Sequence, residues 1–280
     1  RRGRYRTEKI RNVGEPPHLL DSALVDFAAG QIHRYLFTKG FFNARVTSRI
    51  ETRRRRARIY FEAEPGEPYT IRRIEADVAD SGMAKLYERE KSRFSRVRVG
   101  MRYDADSLVA EREQVYHLMR RAGYYEYLRQ YMRVDVDTSL RSNQADLRLI
   151  VDTPEGKPVH TRFYIDSSLV TIRHARTALN RSEPVRIELP GQIRFADYTG
   201  RFRPMPIARY LFQQAGQRYN ADKENLTYDR LYELNGFRTV KINYTKVDSN
   251  RLNAHYELTT RPYMGNQVEG EYTFNTGMSG

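Results

Sequence analysis

The hydrophobic pattern of the chain changes period, first following helical spacing and then alternating strictly between apolar and polar. Residues 24–36 carry apolar side chains at helical spacing, which predicts a helix with one buried face. This stripe comprises Leu24, Phe27, Ala28, Ile32, Tyr35 and Leu36. Residues 45–50 and 57–63 then alternate with a period of two, which indicates half-buried antiparallel strands. Glu51–Arg56 is predicted as the turn of their hairpin.

A short phrase with a central glycine recurs three times. The copies, called glycine phrases below, are Lys39-Gly40-Phe41-Phe42, Ala122-Gly123-Tyr124-Tyr125 and Asn235-Gly236-Phe237-Arg238. Each copy follows a helical stretch and precedes two alternating stretches, so the chain is organised as repeated modules. Glycine just past a helix adopts the left-handed conformation that ends the helix. We therefore expect Gly40 and Gly123 to terminate their helices.

A second phrase appears upstream of two of these copies. Residues 100–103 read Gly-Met-Arg-Tyr and residues 216–219 read Gly-Gln-Arg-Tyr, and both are called Gly-x-Arg-Tyr phrases below. Each phrase lies between two predicted helices. An opening strand is predicted upstream of each helix pair, at 69–78 for the first phrase and at 159–165 for the second, and each strand follows a Pro- and Gly-rich boundary. The first helix of each pair is predicted near 82–94 or 206–214. The repeating unit is therefore strand–helix–helix–strand–strand, an α+β module whose two helices cover one face of a three-stranded mixed sheet.

Four segments follow from these boundaries. Residues 1–66 form a partial first module without an opening strand, 67–155 a second module, 156–262 a third, and 263–280 a different segment. The glycines of the three phrases are 83 and then 113 residues apart, which predicts an insertion in the third module near 167–202. In the last segment, Asn266–Asn275 alternates over about ten residues, the length of a membrane-spanning β-strand. An ordinary edge strand remains the alternative.

The positive net charge of the chain indicates which kinds of partner it could bind. The net charge is +14, and residues 1–60 hold 15 Lys or Arg against five Asp or Glu. This excess favours an acidic protein, an anionic membrane surface or nucleic acid as a partner. The densest run is Arg53, Arg54, Arg55 and Arg56, for which a contact with an anion and a merely solvated hairpin turn both remain open.

The sequence contains no recognisable catalytic, metal-binding or phosphate-binding motif. The six histidines lack metal-ligand spacing, and neither a phosphate-binding loop nor a nucleophile elbow occurs. Cysteine is absent, so disulfides are excluded. No run of about 18 apolar residues predicts a transmembrane helix, and no signal peptide is evident at Arg1. We therefore expect a protein that is not an enzyme and has no metal or cofactor.

In the order and recurrence of these phrases and elements, the chain resembles POTRA (polypeptide-transport-associated) domains, the periplasmic region of BamA/TamA-type outer-membrane assembly factors. The resemblance rests on Lys39–Asn43 with its strands, on Glu64–Ile71 opening the next module, and on Leu234–Phe237 before Val240–Tyr244. Two whole modules and one partial module favour the TamA-like branch. The closing residues are similar to the first barrel strand of that family. The resemblance implies a location in the periplasm, attached to the outer membrane through a C-terminal barrel.

The resemblance also implies where partners bind, because it places the strand after each glycine phrase at a sheet edge. Unpaired main-chain groups there can receive an extended polypeptide by β-augmentation. The implied partners are unfolded outer-membrane proteins and accessory proteins, either TamB-like or similar to the Bam lipoproteins. The predicted residues are Arg45, Val46, Thr47, Ser48, Arg49, Ile50, Arg133, Val134, Asp135, Val136, Asp137, Val240, Lys241, Ile242, Asn243 and Tyr244.

Two alternatives remain open. In the first, the chain is a docking platform for a TamB-like inner-membrane partner or for anionic lipid headgroups in lipid or protein transport, contacted through Arg53–Arg56. In the second, it is a basic repeat protein that binds nucleic acid, although no known nucleic-acid-binding motif appears in the sequence.

Overall fold

The computed structural model describes residues 20–54, 56–139 and 143–261, and the chain divides into two compact units. The first unit comprises 1–78, 88–113 and 132–151, and the second comprises 79–87, 114–131 and 152–280. The segment Asn266–Asn275, predicted as a barrel strand, and Arg55 lie outside the described residues. The module boundaries drawn from the sequence stay predictions.

The first unit begins with helix α1, Ser22–Thr38, whose start is capped by Asp21 through a 2.9 Å hydrogen bond from the Ala23 N–H. Strands β1, Arg45–Arg53, and β2, Arg56–Glu64, follow as an antiparallel hairpin. The predicted hairpin is therefore confirmed, but its turn is shorter than the predicted 51–56, because β1 continues to Arg53 and β2 begins at Arg56.

The burial predicted for this first module is wrong at several of its apolar positions. On α1, Leu24 is 65% exposed and Phe27 is 58% exposed, and only Val25 is fully buried. On β2, Ile59 and Phe61 are also exposed. The helix packs against a sheet of two strands only, and within residues 20–54 and 56–64 no further strand covers the remaining apolar surface.

The first unit also contains a three-stranded mixed sheet with the order β3-β5-β4. Strand β3, Thr70–Val78, is parallel to β5, Gln144–Val151, and β5 is antiparallel to β4, Met132–Asp137. Helices α2, Ser81–Phe94, and α3, Ala105–Arg121, lie between β3 and β4 in the chain. The predicted α+β arrangement is thus confirmed. The core of the unit joins the sheet to the start of α3 through Ile71, Val97, Tyr103, Leu108 and Leu147.

The second unit contains a five-stranded sheet with the order β7-β8-β6-β10-β9. Strand β6, Tyr164–His174, is parallel to β10, Arg251–Thr260, which is antiparallel to β9, Phe237–Lys246. These three strands repeat the arrangement of the first unit. The opening strand was predicted at 159–165 and is found at 164–174. The Phe163 N–H, just before the strand, donates to the Gly123 carbonyl instead of to a neighbouring strand.

Helices α4, Pro204–Ala208, and α5, Ala221–Glu233, follow in the second unit. The helix predicted at 206–214 is thus wrong in its extent, since α4 ends at Ala208. The Asn220 side chain caps the start of helix α5, where it accepts a 2.8 Å hydrogen bond from the Asp222 N–H. Within residues 20–54, 56–139 and 143–261, no helix is long and apolar enough to span a membrane.

Two further strands enlarge this sheet beyond the three that were predicted. Strands β7, Val185–Leu189, and β8, Ile193–Asp197, form an antiparallel hairpin, and β8 pairs with β6 in parallel. The hairpin lies between the opening strand and the first helix of the repeat, in the range where the sequence spacing predicts an insertion. It pairs with the side of β6 that faces away from β10.

A buried carboxylate shapes the turn that leaves this hairpin. Burial raises the pKa of Asp197, but hydrogen bonds from Thr199, Phe202 and Arg201 outweigh that effect and hold the pKa below its usual value. The Thr199 hydroxyl donates to the carboxylate at 2.7 Å, and the Phe202 N–H does so at 3.0 Å. The charged side chain thereby orders the backbone between β8 and α4.

Candidate polypeptide-binding edges

Within residues 20–54, 56–139 and 143–261, strands β4 and β9 each end a sheet, because each pairs with a described neighbour on one side only. The predicted residues Arg133–Asp137 lie in β4 and Val240–Tyr244 lie in β9. The remaining predicted residues, Arg45–Ile50, lie in β1, whose one partner among the described strands is β2. All three predicted segments therefore occupy positions at a sheet edge.

Hydrogen-bonded and non-hydrogen-bonded pairs alternate along β4, and this alternation, called its hydrogen-bond phase or ladder phase below, shows which main-chain groups point outward. Just before the strand, the Asp152 N–H donates to the Tyr131 carbonyl at 2.9 Å. Hydrogen-bonded pairs alternate along an antiparallel ladder, and the register pairs Arg133 with Ile150. The residues of β4 that exchange hydrogen bonds with β5 are therefore 133, 135 and 137. Residues 132, 134 and 136 direct their N–H and C=O groups toward the free edge.

The same reasoning applies to β9. Just beyond this strand, the Val247 N–H donates to the Arg251 carbonyl at 3.0 Å, and the register pairs Lys241 with Glu257. Residues 241, 243 and 245 therefore bond to β10, whereas 240, 242 and 244 present their main-chain groups outward. Both edges thus offer alternating donors and acceptors to an added strand.

The residues with outward main-chain groups have apolar side chains on the core face. Val134 and Val136 pack against the core of the first unit, and Ile242 and Tyr244 pack against that of the second. The intervening residues are exposed: Arg133, Asp135 and Asp137 on β4, and Lys241 and Asn243 on β9. A guest strand that continues either sheet would therefore place apolar and polar residues on alternate faces.

The ladder phase identifies one residue that the sequence prediction omitted. Met132 precedes the predicted range and points its main-chain groups to the free edge, while its side chain is buried. No sequence signal marks it, because the phase depends on which residues of β4 and β5 meet.

The opening strands are covered on their far side by the Gly-x-Arg-Tyr phrases. At the start of β3, the Ile71 N–H donates to the Met101 carbonyl at 2.8 Å, and the Gly100 N–H donates to the Ile71 carbonyl at 2.7 Å. At the start of β6, Ile165 makes the matching bonds with Gln217 and Gly216, both at 2.8 Å. The phrase that the sequence repeats thus serves to pair with the first residues of the opening strand.

In the second unit the hairpin extends this coverage. Strand β8 pairs with β6 from Ser168 to Ile172, so β6 is paired on both sides there. The sheet then ends at β7, which has five residues, and at β9, which has ten. The longer edge offers more main-chain groups to a guest. The insertion therefore leaves β9 as the more extensive edge of this sheet.

A hydrogen bond to a glycine carbonyl sets the position of each opening strand. The Tyr69 N–H donates to the Gly40 carbonyl at 2.8 Å, and the Phe163 N–H donates to the Gly123 carbonyl at 2.8 Å. Gly40 has a φ of +87° and Gly123 has a φ of +103°, values that side chains disfavour. As predicted, each glycine ends its helix.

Three aromatic rings surround each of these two bonds. In the first unit the Phe42 ring lies 4.9 Å from that of Tyr69 and 5.0 Å from that of Tyr103. In the second unit the Tyr125 ring lies 5.9 Å from Phe163 and 5.1 Å from Tyr219. The two clusters are equivalent in sequence. Each joins a glycine phrase, the residue before an opening strand, and the tyrosine of a Gly-x-Arg-Tyr phrase.

The third glycine phrase departs from this pattern. The left-handed residue is Asn235, with a φ of +56°, rather than Gly236. The Gly236 carbonyl still accepts a hydrogen bond, from the Arg261 N–H at 3.0 Å. However, the position of Phe42 and Tyr125 is occupied by the exposed Arg238, and the Phe237 ring instead stacks on Phe202 at 5.1 Å.

An ion pair supports the first of these junctions. The Lys39 ammonium lies 2.7 Å from the Asp106 carboxylate and 3.1 Å from that of Asp104, at the start of α3. Hydrogen bonds to Asp106 and Asp104 raise the pKa of Lys39. The helix that ends at the glycine phrase is thereby linked to the helix that follows the Gly-x-Arg-Tyr phrase.

The arginine run lies at the tip of the first hairpin. Arg53 stands opposite Arg56 in the register of β1 and β2, and Arg54 has a φ of +57°. Like charges directly opposite on a β-ladder destabilise it. Arg53, Arg54 and Arg56 are all exposed, so this tip concentrates positive charge at the surface.

In the part of the chain that the structure describes, no group of three or more His, Asp or Glu side chains could hold a metal ion.

No family model and no curated protein matches the chain. Among solved structures it is similar to POTRA domains 3–5 of BamA from Haemophilus influenzae, at 12% identity, with 87% of this chain and 83% of that chain covered and a TM-score of 0.47. It is also similar to BamA from Haemophilus ducreyi lacking POTRA domains 1–3, at 15% identity, 69% and 30% coverage and a TM-score of 0.47. A third similar structure is POTRA1–3 of the periplasmic domain of Omp85 from Anabaena, at 14% identity, 89% and 85% coverage and a TM-score of 0.32. Likeness at this level transfers no residue's role to this chain.

The glycine junction generates a prediction. A Cβ at Gly40 would lie 2.6 Å from the Tyr103 carbonyl oxygen, whereas a Cβ at Gly66, which also has a positive φ, meets nothing within 4 Å. Gly66→Ala should cost about 1 kcal/mol, the left-handed penalty alone. Gly40→Ala should cost about 3 kcal/mol because backbone must also move. Thermal unfolding followed by circular dichroism measures both, and equal losses would contradict the proposed close packing at Gly40.

Proposed function

We propose that this chain is a polypeptide-binding arm whose edge strands β4 and β9 receive extended segments of other proteins by β-augmentation. The observation that carries the proposal is the hydrogen-bond phase of the two strands. Both present outward main-chain groups from residues whose apolar side chains lie on the core face, at 134 and 136 and at 240, 242 and 244. A guest strand can therefore extend the ladder and the apolar layer together.

Binding of this kind makes few demands on the guest's sequence. Main-chain hydrogen bonds supply the affinity, and alternate side chains supply modest selectivity. Each edge is short, since β4 has six residues and β9 has ten, so each contact is expected to be weak. Two edges on one chain raise the overall affinity for a long unfolded polypeptide, because the second contact becomes intramolecular.

The biological setting is part of this proposal. The resemblance of the glycine phrases to POTRA domains supports a periplasmic arm of an outer-membrane assembly factor. The clients would then be unfolded outer-membrane proteins, and accessory proteins would dock on the same arm. The TamA-like branch, a TamB-like partner and attachment through a C-terminal barrel are finer parts of the proposal, supported by the number of modules and by the closing sequence.

Proline at an outward position of β4 tests the proposal. Val134→Pro or Val136→Pro removes a donor that faces the free edge and leaves the β5 ladder intact, because 133, 135 and 137 bond to β5. We expect binding of an unfolded outer-membrane polypeptide to weaken about tenfold, the loss of one or two main-chain hydrogen bonds. Fluorescence anisotropy with a labelled client segment measures the change.

The matched controls are Val134→Ala and Val136→Ala, which shorten the same side chains and keep the N–H. Circular dichroism establishes that each variant is folded. The proline substitution in β4 is also combined with Ile242→Pro in β9. If the combined variant is folded and binds the client as tightly as the unsubstituted protein does, edge pairing is contradicted.

A second candidate function is docking on an anionic surface through the hairpin tip. The observation that favours it is the cross-strand pair of Arg53 and Arg56. Two arginines held opposite each other cost stability, and an anion between them would offset their repulsion. A lipid headgroup phosphate or an acidic patch of a TamB-like partner has the required charge.

Replacing Arg53, Arg54 and Arg56 by serine tests this second function. We expect sedimentation with vesicles containing anionic lipid to fall severalfold, since each basic residue near such a surface contributes about 1 kcal/mol. The control replaces three other exposed arginines, Arg186, Arg194 and Arg209, and so loses the same charge elsewhere. If the two triple variants lose equal binding, the tip contributes only its part of the general positive charge, and a specific docking role of the tip is contradicted.

A further inference from the structure

The two free edges differ in the charge that they present to a guest strand. The exposed residues of β4 are Arg133, Asp135 and Asp137, whereas the polar face of β9 carries Lys241 and Asn243 and no carboxylate. In a chain with a net charge of +14, the carboxylates of β4 are a local exception.

The ladder phase places these side chains directly opposite a guest. The outward hydrogen bonds of β4 come from 132, 134 and 136, so 133, 135 and 137 would stand in the non-hydrogen-bonded pairs of an antiparallel guest. Side chains are closer in such pairs, with Cα atoms about 4.5 Å apart instead of about 5.5 Å. The same holds for 241 and 243 on β9. Charge at these positions therefore acts on a guest at the shortest cross-strand distance.

The second of the two carboxylates of β4 is fixed in its ionised form. The Ser139 N–H donates to the Asp137 carboxylate at 2.9 Å. This backbone hydrogen bond, together with one from the Ser139 side chain, lowers the pKa of Asp137. Its carboxylate therefore stays negative throughout the neutral pH range.

The arginines near these carboxylates are each paired with an acid. Arg148, the cross-strand neighbour of Asp135, donates to the Asp77 carboxylate at 2.7 Å. Arg133 pairs with Asp135 on the same strand, at 3.0 Å.

At the end of the strand, Asp137 stands opposite Asp146, whose carboxylate accepts a 2.8 Å hydrogen bond from Arg72. The end of β4, which carries Asp137, is therefore more negative than its start, which carries Arg133.

On β9 the neighbouring charges have the opposite arrangement. The side chain at the edge is Lys241, and its acidic neighbour Glu257 lies one strand further in, on β10. Asn243 is opposite His255 in the same register. A guest that pairs with β9 therefore meets the cation first.

We propose that the two edges sort guest strands by charge. Edge β4 selects an extended segment with Lys or Arg at two alternate positions, which face Asp135 and Asp137. Edge β9 selects a segment with Asp or Glu facing Lys241. This inference rests on the proposed edge binding and adds the class of guest that each edge takes.

Two designed peptides test it with the full chain. Each has ten residues that alternate Val with polar residues. Two central polar positions are Lys in one peptide and Glu in the other, and opposite charges in a Gly-Ser tail make their net charges equal. Fluorescence anisotropy is measured in the Ile242→Pro variant, which weakens β9 and leaves β4 as the intact one of the two proposed edges. We expect the Lys peptide to bind about threefold to tenfold more tightly, the effect of two favourable cross-strand charge pairs.

Neutralising the carboxylates completes the test. Asp135→Asn with Asp137→Asn should abolish this preference while leaving both peptides bound, and 0.5 M salt should reduce it in the unsubstituted β4. In the Val134→Pro variant, in which β9 is the intact proposed edge, the Glu peptide should bind more tightly than the Lys peptide. Adding Lys241→Gln to this variant should remove that preference.

The outcomes separate the inference from the function on which it rests. If both peptides bind equally and the proline variants weaken both, edge binding stands and charge sorting is overturned. A Lys preference that survives the two asparagine substitutions also overturns it. If neither peptide binds to any variant with a free edge, the proposed edge binding itself fails, and charge sorting fails with it.

Discussion

A hydrogen bond from a backbone N–H to a glycine carbonyl determines where each opening strand begins. It joins Tyr69 to Gly40 in one unit and Phe163 to Gly123 in the other, at the same length of 2.8 Å. The positive φ at both positions disfavours a side chain, and at Gly40 a Cβ would also lie 2.6 Å from the Tyr103 carbonyl oxygen. The same glycine ends a helix and precedes an edge strand. One constraint therefore fixes the helix end, the start of the next sheet and the position of a candidate binding edge.

The candidate function belongs mainly to the backbone. No cluster of reactive side chains is required, because the outward groups of β4 and β9 arise from register and hydrogen-bond phase. Side chains act at two levels. Apolar residues such as Val134 and Ile242 attach the edge to its core, and the exposed charges between them are available to discriminate among guests. The insertion of β7 and β8 has a related effect, since it occupies the far side of β6 and leaves β9 as the long free edge.

The repeat and the pattern of the strands could be predicted from the sequence, because each element carries a local signal. Alternation identified β1, β2, β4 and β9. The exposure of Leu24 and Phe27 could not be predicted, because a periodic stripe indicates an apolar face and not whether a partner covers it. The start of β6 was misplaced because the backbone just before it bonds elsewhere in the fold, as the Phe163 N–H does to the Gly123 carbonyl. The outward direction of the Val134 and Val136 amides depends on tertiary register, which has no local signature.

The most direct test of edge binding is amide hydrogen exchange at individual residues of β4, followed by NMR. In the free protein, the amides of Val134 and Val136 should exchange rapidly, while those of Arg133 and Asp135 should be protected by β5. Saturation with a client segment should protect Val134 and Val136 and leave the protection of Arg133 and Asp135 unchanged. Unchanged exchange at Val134 and Val136 in the presence of saturating client would contradict binding at this edge.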